Sequence, residues 1–243
     1  MRLTGKTALI TGGATGIGQG IAMALAGEGC RVAIAGRRLD KLREAAAGWN
    51  GTPAITCHVA DVANRESVAS LFAWAQTELG QIDILVNSAG INTPRRSMAE
   101  MAPEKWDEII NVNATGVYNC MHAVLPQMRT RRDGLIVNIS SVAGKRSSAL
   151  GGVAYCASKF AVSALSAAVA LEVGGSGIRV TNICPGEVET EILAARPVPP
   201  TAEHRARMLQ PEDLGAAVLM VACLPPRAHI AEMIVKPTWQ DYA

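Results

Sequence analysis

The sequence predicts a single-domain α/β protein, a doubly wound parallel sheet with helices on both faces, and three features of its 243 residues carry that expectation. The length suits one large domain. Short, almost wholly apolar runs alternate with helix-length segments rich in Ala, Leu, Glu and Gln, as expected of strands covered on both faces. A glycine-rich turn follows the first apolar run and leads into the first helical segment.

The elements follow in order. Strands are expected at 7–11 (TALIT), 31–35 (RVAIA), 54–59 (AITCHV), 82–87 (IDILVN), 135–140 (LIVNIS) and 178–184 (IRVTNIC), with 231–237 (AEMIVKP) closing the far edge. Helical patterns cover 16–28, 64–79, 103–128 and 153–173. Right-handed crossovers between such strands wind the sheet in both directions from its first strand. The stretch 191–211 carries four prolines and mixed charge, and reads as a substrate loop or lid, or as a plain surface insertion. No composition break marks a linker, so 1–243 is one unit for nucleotide binding and catalysis together.

Composition narrows the function classes. Hydrophobic residues make up 49% and charged residues 18%, the balance of a well-buried globular chain. A net charge of +2 makes no case for nucleic acid or an anionic membrane surface as partner. No uninterrupted apolar stretch has the length to span a bilayer, and the opening MRLTGKTALITGG breaks into glycine too early for a signal peptide. Six cysteines without a C-x-x-C pair read as reduced, buried thiols, which points to the cytoplasm. Four histidines show no ligand spacing, so no metal site is expected.

The turn after the first strand spaces its glycines as G-x-x-x-G-x-G, at Gly12, Gly16 and Gly18. Such a turn brings backbone N–H groups and a helix N-terminus up to a pyrophosphate, unless it is merely a structural turn. The second strand runs into Gly36-Arg37-Arg38, where an acid would grip a ribose 2′-hydroxyl. Guanidinium groups suit a 2′-phosphate instead, so NADP(H) is expected over NAD(H), unless both arginines only cap the strand in water. Asp61, after the third strand, would accept from an adenine amino group, while Asn87, Ala89 and Gly90 end the fourth strand at the sheet's ligand-binding edge. Pro185 and Gly186 shape a turn after the sixth strand, followed by Val188 and Thr190, that either lies against the cofactor or simply ends the strand.

Tyr155 and Lys159 stand one helical turn apart in GGVAYCASKF. A free phenol titrates near about 10, too high for a base at neutrality, and an ammonium on the same helix face favours its ionised form. An arbitrary pair at this spacing is more often a packed ring and a solvated cation.

TGGATGIG, NSAG, NVN, ISS, YCASK and CPGEVET occur in that order across residues 11–190. In this series the chain resembles the short-chain dehydrogenase/reductase family over nearly its whole length. The resemblance implies a Rossmann-type sheet and hydride transfer between a nicotinamide cofactor and a hydroxyl or carbonyl group. Tyr155 is then the acid/base; Lys159 lowers its pKa and holds the nicotinamide ribose. Ser141 donates to the substrate oxygen, and Asn113 positions a water for proton relay. Thr15 and Ile17 join the three glycines at the cofactor, and Val62 joins Asp61. Ser141 precedes Tyr155 by fourteen residues, one more than the family commonly has, which implies an insertion in the loop between strand and helix.

The tail LPPRAHIAEMIVKPTWQDYA and the GGVAY segment resemble the subgroup acting on 3-hydroxy acids and serine-like substrates. A 3-oxoacyl thioester or another ketone is the second substrate class. A nucleotide-binding sensor without turnover is a reading of another kind, against which the complete Ser, Tyr and Lys set counts. Arg95, Arg96, Lys145, Arg146 and Arg196 either form a basic rim for a substrate carboxylate or are scattered surface charge. By the same resemblance the chain forms a homo-oligomer, a tetramer or dimer, pairing 103–128 and 153–173 across two-fold axes.

Overall fold

The computed structural model describes residues 1–241. Seven parallel strands lie in the order β3-β2-β1-β4-β5-β6-β7, a Rossmann-type sheet. They are β1 (Thr7–Thr11), β2 (Arg31–Gly36), β3 (Thr56–Val59), β4 (Ile84–Asn87), β5 (Gly134–Ile139), β6 (Ile178–Pro185) and β7 (Glu232–Val235). The order reverses between β1 and β4, which opens a crevice at their carboxyl ends, where open α/β sheets bind ligands.

Alternation along the strands divides the interior into two cores. Ala8 and Ile10 of β1 face one side, with Val32, Ile34, Val86 and Val137. Helices α1 (Gly16–Gly27), α2 (Leu39–Ala47) and α8 (Pro211–Ala222) cover that side through Ile21, Leu25, Leu42 and Leu214. Leu9, Leu85, Ile136 and Val180 face the other, under α3 (Arg65–Leu79), α5 (Gly116–Arg131) and α6 (Val153–Val173). Each fully buried Leu or Ile contributes about 1.5–3 kcal/mol, so the sheet is held rigidly from both faces.

Local chemistry sets the helix ends. The Asn64 side chain accepts from Ser67 N at 2.8 Å and caps α3. Pro211 sits in the first turn of α8, behind a reciprocal cap between Gln210 and Asp213. The structure departs from the helix expected over 103–128: α4 (Pro103–Ile110) runs into a π-helical turn at Asn111–Thr115 before α5 begins. Residues 191–211 also hold more structure than their prolines suggest, a 3₁₀ turn at Glu191–Ala195 and the short α7 (Ala202–Ala206).

Together with the 3₁₀ turn that follows it, α6 spans Val153–Ser176 with a mean hydropathy of 1.5, long and apolar enough to cross a membrane on those criteria alone. It packs on β6 and carries the buried polar residues Ser158, Lys159 and Ser166. All six cysteines are free, and the described residues contain no cluster of metal-ligating side chains.

Candidate active site

Two cavities meet at Tyr155. The larger, about 480 Å³, runs along the carboxyl edge of the sheet from Arg37 and Arg38, past Gly12, Thr15, Gly16 and Ile17, to Lys159. The smaller, about 160 Å³, lies between Ser141, Gly186, Val188 and Arg196. Tyr155, Ser140, Ile17 and Thr190 line both.

The larger cavity suits a dinucleotide. Thr15 occupies the N-cap of α1 with no side-chain hydrogen bond, so the helix's first N–H groups keep their capacity for an anion. Gly12 has φ +65°, and a Cβ there would stand 2.7 Å from Ala89 N. A Cβ on Gly18 would stand 2.2 Å from the Gly12 carbonyl oxygen, so glycine is needed for α1 to start directly on the turn. Asp61, Val62, Ala89 and Gly90 complete the wall. Asp61 accepts from Ala63 N at 3.0 Å through one carboxylate oxygen. Arg37 is exposed, and Arg38 reaches Glu191 at 2.7 Å across the cavity's outer end. Both partners of that ion pair are half exposed, so it is weak and gives way readily to a phosphate.

Three expected cofactor or catalytic residues stand behind these walls rather than on them. Gly18 is buried in the first turn of α1. Asn87 donates to Asn138 Oδ1 at 2.8 Å inside the sheet, and its own Oδ1 has no protein partner. Asn113, wholly buried in the π-turn, accepts from Ile91 N at 2.8 Å. Its amide donates to Ile91 O at 3.0 Å and to Ser158 Oγ at 3.1 Å. The side chain is thus committed to tying the π-turn to the loop after β4, beside Gly90 and Lys159.

Local bonding also separates the two serines. Ser140 donates to the Lys159 carbonyl at 2.9 Å and lies 3.1 Å from Ser163 Oγ, so it is a strut between β5 and α6. Ser141 Oγ accepts from Ala143 N at 3.0 Å, which leaves its own proton for the cavity and for Tyr155, with which it shares a hydrogen bond.

Burial adds to the electrostatics of the Tyr155 and Lys159 pair. Lys159 Nζ stands 5.5 Å from the Tyr155 ring centre and donates to the Ile139 carbonyl at 2.8 Å. Burial lowers its pKa to about 8. Burial likewise raises the Tyr155 phenol above its ordinary value, opposed by the Ser141 hydrogen bond and by the positive charge of Arg96. Arg96, which the sequence marked only as one of five possible rim charges, is thus a second cation acting on the phenol, beside Lys159 under its ring.

Residues of the 191–211 segment are strapped to the turn after β6. Glu187 accepts from Arg196 at 2.7 Å and lies 3.1 Å from His204 Nε2. Burial pushes its carboxyl up, but these two hydrogen bonds outweigh it and hold the group below the usual range. Arg205 pairs with Glu189, and Gln240 Oε1 accepts from Glu187 N at 3.0 Å. Glu187, Glu191 and Gln240 are contributors the sequence did not signal, because each acquires its role only when segments distant in the chain converge.

A model of the short chain dehydrogenase family matches residues 6–198. Among similar proteins, the oxidoreductase UcpA of Escherichia coli is 39% identical over 95% of this chain and 84% of its own. Glycine betaine reductase of Emericella nidulans is 36% identical over 97% of this chain, which spans only 19% of that much longer protein. Among solved structures, the closed form of a serine dehydrogenase complexed with NADP+ superposes with a TM-score of 0.89 at 32% identity, covering 98% of this chain and 97% of that one. The 3-ketoacyl-(acyl-carrier-protein) reductase of Brucella melitensis, complexed with NADH, gives 0.88 at 28% identity, covering 97% and 98%.

Proposed function

The chain belongs to the short-chain dehydrogenase family, and from that premise we propose that it is a cytoplasmic oxidoreductase acting with NADP(H) on the hydroxyl or carbonyl group of a small molecule, a 3-hydroxy acid or its oxo acid. The observation that carries this reading is the position of Tyr155, whose side chain stands where the dinucleotide-shaped cavity opens into a second, small one. Bound NADP(H) would supply or take up the hydride. Tyr155 gives its proton to the substrate oxygen in the reductive direction and receives it in the oxidative one. Ser141 donates to the same oxygen as charge develops there. Lys159, fixed on Ile139 O, holds positive charge beneath the tyrosine ring and binds the nicotinamide ribose.

NADP(H) is favoured over NAD(H) by Arg37 and Arg38 at the cavity's outer end and by the absence of an acid at the end of β2. Replacing both arginines with alanine should weaken NADPH binding about 10- to 100-fold and leave NADH binding nearly unchanged, as read by nucleotide fluorescence titration. Equal losses for both nucleotides would refute the 2′-phosphate assignment. The activity itself is tested by following NADPH oxidation with a panel of short 3-oxo acids, diketones and 3-oxoacyl thioesters. Nucleotide binding without turnover of any of them would favour a sensor.

One observation supports the thioester as a second substrate class. A mostly apolar cavity of about 1030 Å³ lies beyond Arg96 and Ser148, among Met98, Met101, Trp106 and Phe160, and has room for an acyl chain. Tyr118, Phe160 and Leu171 expose apolar side chains on α5 and α6, which supports a homo-oligomer, dimer or tetramer, joined through these helices. Light scattering should give a mass of two or four chains; a monomer would exclude this assembly.

A further inference from the structure

Arg96 is only 6% exposed, yet it has no carboxylate partner among the described residues. Its Nε donates to Thr93 O at 2.8 Å, and its two terminal nitrogens donate to the carbonyls of Leu150 and Ala195. A guanidinium carries five N–H donors, so two remain beyond these three bonds. Burying an uncompensated cation is expensive unless a counter-charge arrives, and three neutral carbonyls do not supply one.

The charge balance of the small cavity sharpens the point. Its charged wall residues are Arg96, Glu187 and Arg196. Glu187 and Arg196 neutralise each other at 2.7 Å, which leaves one unbalanced positive charge, on Arg96. Of the other rim cations, Arg95 points to solvent and Lys145 is held by Glu232 at 2.9 Å. We propose that Arg96 binds the carboxylate of a small hydroxy or oxo acid and is the residue that selects for it, with the acid's reacting oxygen toward Tyr155 and Ser141.

The fold fixes Arg96 for this task. Val153 N donates to Arg96 O at 3.0 Å, which joins its backbone to the first turn of the helix that carries Tyr155. Gly152 has φ +78°, and a Cβ there would stand 2.5 Å from Arg96 Cβ, so glycine at this N-cap makes the seat for the arginine. The carboxylate-binding group is thus tied by a backbone hydrogen bond to the helix that carries Tyr155. Burial and the neighbouring charge of Arg196 both push the guanidinium pKa down, whereas an ionised Tyr155 would push it up. An incoming carboxylate relieves the repulsion between the two arginines. At about 160 Å³ the cavity is the smaller of the two that meet at Tyr155, which suits an acid of a few carbons.

This inference rests on the dehydrogenase reading, and its test separates the two. Calorimetric titration of butyrate and of methyl butyrate into the protein–NADPH complex needs no turnover. Butyrate should bind and its ester should bind at least about tenfold more weakly. Arg96→Gln should weaken butyrate about 10- to 100-fold with NADPH binding retained, and Arg96→Lys should recover part of that loss. In turnover, the preference for 3-hydroxybutyrate over its methyl ester should collapse in Arg96→Gln, chiefly through a raised KM for the acid. Equal binding of butyrate and ester to the unaltered protein would overturn the proposal even if neither variant folds. So would a folded Arg96→Gln protein with an unchanged acid-to-ester ratio, which would make Arg96 only a strap between loops. Butyrate selectivity that depends on Arg96, without turnover of either compound, would instead uphold the inference and count against the dehydrogenase reading.

Discussion

Tyr155→Phe should lower turnover at least about a thousandfold, within the range for loss of a positioned acid or base, while NADPH binds within a few-fold of the unaltered protein. The substitution removes one oxygen and keeps the ring, so the contact of Lys159 with the ring, 5.5 Å from its centre, survives. Ser141 then lacks the phenol beside it in the small cavity, and an aliphatic hydroxyl is a poor proton donor or acceptor at neutrality. The pH profile adds a second reading. Burial raises the phenol's pKa, so the phenolate needed to oxidise an alcohol accumulates only as pH rises. Oxidation should therefore speed up towards alkaline pH, whereas reduction, which uses the protonated phenol, should fall away there. Arg96→Gln removes the charge that opposes the upward shift and should move the alkaline limb higher still. Residual turnover of Tyr155→Phe within tenfold of the unaltered rate would remove the tyrosine from the chemistry.

The strands were legible in the sequence because burial on both faces leaves almost uninterrupted apolar runs, and β1, β2 and β6 lie within a residue of their expected ends. Less regular elements were not. The helix Leu39–Ala47 carries four charged residues and buries only Leu42 and Ala45, so it left little periodic signal. The π-turn at 111–115 is set by the grip of Asn113 on Ile91, twenty-two residues earlier, and no local propensity encodes that contact. The same distinction holds at the site. The spacing of Gly12, Gly16 and Gly18 and the pair Tyr155 and Lys159 are local patterns, visible before folding. Arg96 instead acquires its environment from Leu150 and Ala195, fifty-four and ninety-nine residues away. The surroundings of Lys159 are illegible for a related reason. Spacing puts the amine near the ring, but burial and the Ile139 carbonyl, set by tertiary structure, decide how it acts.

Lys159→Met should raise the melting temperature at pH 7 while reducing turnover by at least about a hundredfold. The reason is the burial that lowers the amine's pKa from an ordinary 10.5 to about 8. A base depressed in this way opposes folding wherever the unfolded chain holds the proton more tightly. Below pH 8 both states are protonated and the full penalty applies, on the order of 3 kcal/mol. Between about 8 and 10.5 the folded state releases its proton first, so the penalty shrinks as pH rises and is gone above that window. Methionine fills a similar volume without the charge, but it gives up the 2.8 Å hydrogen bond from the ammonium to Ile139 O, worth about 2 kcal/mol because its donor is charged. The net gain at pH 7 is then about 1 kcal/mol, or roughly 2–4 °C in a chain of this size. At pH 10 most of that gain should be lost, because the unaltered protein no longer holds a buried ammonium. Paired thermal melts at the two pH values provide the check. A methionine variant that is less stable at pH 7, or equally stabilised at both, would mean that Lys159 is not held against its own solvation. A residue that weakens the fold in order to keep a cation beneath the tyrosine ring has a functional role, and the opposite signs of the stability and activity changes would reveal it.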